Sequence, residues 1–89
     1  MPERAETEEA RRKRLYMRSI RRGIKEMDLI LGAYARDHLG AMDAGCCAIY
    51  DALLSENDHD LLSWVIGQVP PPPHFADLID HIAAHAGAR

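Results

Sequence analysis

The run Arg21-Arg22-Gly23-Ile24-Lys25-Glu26-Met27-Asp28 places cations, a glycine and two carboxylates within eight residues. A glycine lacks the Cβ that would keep a second backbone at a distance. A guanidinium beside it can donate to carboxylates or carbonyls, and a carboxylate can accept from amides. Such a corner suits recognition of a partner chain better than the breaking of a bond. The same residues also read as plain architecture. Arg18, Arg21 and Arg22 suit the negative end of a helix, Gly23 suits a left-handed position just past it, and Glu26 suits the first turn of the next helix. If the helix instead ran on, Gly23 would cost about 1 kcal/mol against alanine and would need a packing or binding reason.

Other groups of reactive residues are weaker. Asp77, His81 and His85 recur every fourth residue, with His74 on the same stripe. Two histidines four apart on a helix can share a metal. However, the glutamate of a zinc-protease motif is missing and no further ligands close the set, so a solvated polar stripe is the expectation and no metal is assigned. Cys46 and Cys47 are adjacent, which makes a strained pair, and no second pair supports a disulfide framework. With no base marked beside them they read as small buried hydrophobes, Cys46 on the core side. Catalysis has no constellation here: no glycine-rich phosphate loop, no triad and no carboxylate pair in a definable cleft.

Charge narrows the partners. Eight of the eleven Lys and Arg residues lie between Arg11 and Lys25, whereas Asp37 to Ala88 contains eight carboxylates and no Lys or Arg. The formal net charge of −3 therefore hides a basic end on an acidic body. A basic segment over 11–25 could track phosphates, which makes a small nucleic-acid-binding or regulatory helical protein the alternative function. The acidic body and the lack of aromatics beyond Tyr16 argue against nucleic acid. No apolar run approaches the roughly 18–20 residues that cross a bilayer, so membrane insertion is not expected. The first residues carry Glu3, Glu6, Glu8 and Glu9, which a transit peptide avoids. Together with the free cysteines this favours a bacterial cytoplasmic protein, or a mature chain already trimmed.

Five helices are predicted to hold the corner. After a disordered tail over residues 1–7, the first runs from the Thr7 cap to about Arg22, with a thin apolar stripe of Leu15, Tyr16, Met17 and Ile20. The second covers about 24–38 and puts Ile24, Met27, Leu31, Tyr34 and Ala35 on one face. The third covers about 44–54 behind an Asp43 cap, with Cys46, Ile49, Tyr50, Leu53 and Leu54 inward. Asn57 or Asp58 caps a short fourth helix, about 59–66. Its Leu61, Leu62, Val65 and Ile66 turn inward, with Trp64 beside them, and Gly67 ends it. Pro70 to Pro73 form a stiff bridge. The fifth helix, about 74–86, buries Phe75, Leu78, Ile79, Ile82, Ala83 and Ala86, and residues 87–89 form a short tail. Nothing alternates like a strand. The expected fold is all-α: one small five-helix bundle, a single domain over residues 8–86. At 89 residues its core is modest.

The order of these features resembles the succinate dehydrogenase flavinylation factors, also called the FAD assembly factor family. Arg22-Gly23-x-x-Glu26 is similar to the family's Arg-Gly-x-x-Glu signature. Leu29 to Ala35 and Tyr50 to Leu54 follow as in its second and third helices. Asn57-Asp58-His59-Asp60-Leu61-Leu62-Ser63-Trp64 resembles its acid-acid-Leu-x-x-Trp turn and fourth helix, and a proline-bearing link leads to a last amphipathic helix. The likeness covers about residues 11–84. It departs at Asp43-Ala44-Gly45-Cys46-Cys47, where members carry a polar cap and carboxylates.

The resemblance implies an assembly chaperone, not an enzyme. It would bind the flavoprotein subunit of succinate dehydrogenase, and in bacteria fumarate reductase, and promote covalent attachment of that subunit's FAD to a histidine. The chemistry would be the client's, and the chaperone would supply alignment. Direct contact with FAD is left open, and no cofactor is expected to be held stably. Carried over by position, Arg22, Gly23 and Glu26 form the contact centre, and Arg21 and Asp28 extend it. Asp58, Asp60 and Trp64 brace the fold or lie at the rim. The free protein is expected to be a monomer.

Overall fold

A computed structural model describes residues 6–88. Residues 1–5 of the expected 1–7 tail, and Arg89 of the expected 87–89 tail, lie outside the described residues. Among the described residues there are five α-helices: α1 (Glu8–Ile20), α2 (Lys25–His38), α3 (Ala44–Leu53), α4 (Asp58–Val65) and α5 (Ala76–Ala86). Short 3-10 turns follow α2 at Leu39–Ala41 and precede α5 at Pro73–Phe75. No strand occurs among the described residues.

Capping chemistry sets most boundaries. The Thr7 hydroxyl accepts from the Ala10 amide, Asp43 from Cys46, and Asn57 from His59. Gly67 and Gly87 take the left-handed conformation that ends α4 and α5. The tail reading gives way at its edge, because Glu6 accepts from Arg14 at 2.8 Å and Thr7 caps α1.

The core joins all five helices. Leu15, Met27, Leu31, Tyr50, Leu53, Leu61, Val65, Ile79 and Ile82 are fully buried. α1 packs along α2 and the 3-10 turn at its end, and α5 packs against α2 and α4. Where α1 meets α2, a Cβ on Gly32 would lie 3.1 Å from Ile20 Cγ2, so the absence of a side chain there sets how close the helices come. Behind them, Ser19 on α1 is fully buried and donates to the Leu15 carbonyl. That leaves the Tyr50 hydroxyl of α3 to donate to Ser19, across 2.6 Å. Burial pushes the Tyr50 phenol up to about 12.

Several faces differ from the pattern in the sequence. Cys47, not Cys46, points inward; Cys46 is exposed on the first turn of α3. Ile49 and Ile66 are each 44% exposed rather than in the core. α3 and α4 are short helices packed on one narrow side, so residues at the edge of each stripe stay in water. Ala86, the last residue of α5, is exposed as well.

Candidate functional site: a braced corner between α1 and α2

The turn from α1 to α2 is tied down by two carboxylates. Asp58, in the first turn of α4, accepts from Arg22 Nε at 2.7 Å with one oxygen and from the Gly23 amide at 2.7 Å with the other. Asp28, one turn into α2, accepts from the Arg22 amide. The Arg22 guanidinium also donates to the carbonyls of Leu54 (2.8 Å), Glu56 (3.2 Å) and Arg18 (3.3 Å). Its side chain is only 9% exposed and that of Asp58 16%. Arg22 therefore acts inward, stitching α1 to the α3–α4 connection. The sequence suggested an outward, donating role for Arg22; the folded chain has already used four of its five N–H donors.

Gly23 is also placed differently from the expectation. It does not adopt a positive φ, so it is not a left-handed helix terminator. α1 ends earlier, at Ile20, and Ile24 enters α2 in an extended conformation. What Gly23 provides is proximity. A Cβ there would stand 3.1 Å from Asp58 Oδ2, the atom its own amide binds. A side chain would press on that carboxylate, while the outer side of Gly23 is exposed.

The outward face of the corner is built from other groups. Arg21, Lys25 and Glu26 are exposed. Leu29, one turn beyond Glu26, is 64% exposed, and Met17 on α1 is 36% exposed. Met17, Arg18, Arg21 and Arg22 line a shallow hollow of about 330 Å³ beside the turn. The corner thus presents Gly23 and Glu26 between cations, with apolar side chains near. Leu29 was not singled out from the sequence, but a signal was available. It is apolar and lies opposite the Met27–Leu31 stripe that turns inward.

Asp60 is exposed at the α4 N-terminus. Trp64 is buried, its ring centroid 6.2 Å from that of Phe75, so it acts as a core residue. Half of the basic run is spent on the protein itself. Arg14 bridges Glu6 and Asp51, and Arg18 reaches Asp51 and Ser55. The Arg14 hydrogen bond holds the Asp51 carboxyl below the usual range, and Arg18 adds to the effect. These cations are not a free ladder for phosphates.

At the far end of α2, His81 Nδ1 shares a 2.7 Å hydrogen bond with the Tyr34 hydroxyl, and His85 Nε2 contacts Asp37 at 2.8 Å. His38 meets both rings edge-on, with centroids 4.8 and 5.0 Å away. Among the described residues no group of three or more His, Cys, Asp or Glu side chains is arranged to hold a metal. No helix among them is long and apolar enough to cross a membrane.

A family model, Sdh5, described as flavinator of succinate dehydrogenase, matches residues 13–86, a span that contains the whole corner and all of its braces. The chain belongs to this family. Relatives in fungi and flies carry the name succinate dehydrogenase assembly factor 2, mitochondrial. The protein of Schizosaccharomyces japonicus is 41% identical over 70 residues, covering 79% of this chain and 49% of that protein. Its counterpart in Drosophila grimshawi is 36% identical over 78 residues, covering 84% and 53%. The Cryptococcus neoformans protein is 36% identical over 83 residues, covering 91% and 47%. The chain spans about half the length of these curated relatives. Their names correct the expectation of a bacterial cytoplasmic protein, since all three are mitochondrial. Acidic residues near the start argued only against a transit peptide in this stretch, and free cysteines are equally at home in any reducing compartment.

Proposed function

We propose that this Sdh5-family chain is an assembly factor that binds the flavoprotein subunit of succinate dehydrogenase and promotes covalent attachment of FAD to it, in a mitochondrial setting. It acts as a docking chaperone and supplies no reacting group. One observation carries the reading: within the span matched by the family, an exposed glycine and glutamate sit at a corner tied down by the largely buried Arg22–Asp58 ion pair and by carboxylate–amide hydrogen bonds. A preorganised corner loses little freedom on binding, which favours a client held in one alignment.

The contact centre is Gly23 and Glu26, with Arg21, Lys25 and Leu29 around them. Arg22, Asp28 and Asp58 hold its shape. Gly23 lets the client's main chain approach, Glu26 accepts from it, and the cations meet its carboxylates or carbonyls. The flavin stays with the client, and this chain orients the acceptor histidine and flavin through the client's fold. The free protein is monomeric and forms a one-to-one complex, and the flavoprotein subunit of fumarate reductase is a second client.

The test is direct binding. Purified chain is titrated into a recombinant flavoprotein subunit that lacks covalent flavin, and heat is recorded. Wild type should bind one-to-one; Glu26→Ala and Leu29→Ser should weaken binding at least tenfold, each with an unchanged melting temperature. Undiminished binding by both variants would remove the corner from the interface.

A further inference from the structure

A second surface lies at the opposite end of α2 from the corner. The fourteen residues of α2 separate the two by about 20 Å at 1.5 Å per residue. Between the end of α2, α3 and α5 opens a groove of about 420 Å³. Met42, Ile49 and Leu78 give it apolar walls, with the rings of His38 and His81 along one side. Ile49 is 44% exposed and Cys46 is exposed, so the apolar lining faces water. This volume is at the small end of the range for ligand sites.

Charge says what fits there. Asp77 lines the groove, and Asp43, which caps α3, binds the amide of the lining residue Cys46 at 2.8 Å. Asp37 stands at the end of α2 against His85. From position 37 to position 88 the chain has no Lys or Arg, and the neighbouring Arg36 is engaged by Asp37 at 3.3 Å. An apolar slot with a carboxylate rim repels anionic lipid and nucleic acid, and it complements an apolar segment flanked by cations.

We propose that this groove docks a cationic amphipathic helix of a partner protein, its apolar side chains over Ile49 and Leu78 and its Lys or Arg residues over Asp43 and Asp77. Helix-in-groove recognition needs just such spaced apolar anchors, and the acidic rim fixes the sign of the partner. Since the site is separate from the Gly23 corner, both can be occupied at once.

The probe is a synthetic amphipathic helical peptide of leucine and lysine, titrated into the isotopically labelled full chain and followed by amide chemical shifts. Shifts are expected at Met42, Cys46, Ile49 and Leu78 and not at Gly23 or Glu26. Affinity should fall at least tenfold with Ile49→Glu, and again with Asp77→Lys. Both positions are exposed, so both variants should keep the wild-type helical circular dichroism. The matching leucine–glutamate peptide should leave the spectrum unchanged. The proposal is overturned by shifts scattered over the acidic surface, by equal binding of the glutamate peptide, by Ile49→Glu and Asp77→Lys binding like wild type, or by the absence of shifts at millimolar peptide. The readout does not involve the flavoprotein, so failure here leaves the corner untouched.

Discussion

Arg22 and Glu26 sit four residues apart and do opposite work. Arg22 is turned inward, bound to Asp58 and to three carbonyls, so it determines shape. Glu26 is exposed, which suits the client contact proposed for it. Removing Asp58 would strand a nearly buried guanidinium and an amide donor. Asp58→Ala should therefore lower unfolding free energy by about 3 kcal/mol, read from urea denaturation. An unchanged midpoint would mean that the brace carries no weight. Gly23→Ala should fold, because its backbone is ordinary, but the new Cβ pushes on Asp58. A loss of about 1 kcal/mol is expected from the weakened amide–carboxylate bond, checked by the same denaturation curve. The signature positions were legible in the sequence, but their division of labour was not. A cation beside a glycine looks the same whether its partner is a client or a carboxylate 36 residues away.

Helix contacts show the same division. α1 carries few apolar residues, and it is held to α3 by Arg14 and Arg18 on Asp51 and by Ser19 on Tyr50. The pattern of apolar residues placed all five helices, because each has a repeat near 3.6 and three of them begin at a recognisable N-cap. It missed Ser19 and the swap of Cys46 for Cys47, since a polar residue inside and the rotation of a short helix depend on what lies opposite. It also passed over Gly32. Gly32→Leu would force α1 away from α2 at Ile20 and should destabilise the protein by about 2 kcal/mol, visible as a lower melting temperature. The carboxylates of Glu6, Asp37, Asp43 and Asp51 are all held below their ordinary range, by Arg14, His85, the Cys46 amide and Arg14 respectively. A depressed carboxyl adds stability above its unfolded pKa, near about 4, and loses it as pH falls through the folded value. These groups should therefore add no pH dependence to the urea midpoint between pH 7 and 5, and they should lower it progressively below about pH 4 as α1 loses its ties.

Over the whole molecule, charge and shape are arranged in opposite directions along α2. The α1–α2 corner keeps Lys25 and Arg21 exposed, and the far end is acidic and apolar. The sequence displayed this polarity plainly, as a block of cations followed by a stretch without any. What it could not show is that half of the block is neutralised internally. That neutralisation weakens the phosphate-binding alternative and leaves a small, specific cationic rim in its place. On the proposed function, the corner is a docking point on a small domain.

Glu26 offers the sharpest test of that reading, because it can be changed without touching the braces. In a host lacking its own copy of the factor, covalent flavin is read as in-gel fluorescence of the flavoprotein subunit after denaturing electrophoresis. Wild-type chain should restore the fluorescent band, and Glu26→Ala, folded and equally abundant, should restore less than a tenth of it. A full-strength band with Glu26→Ala would contradict the assignment of the corner as the docking point.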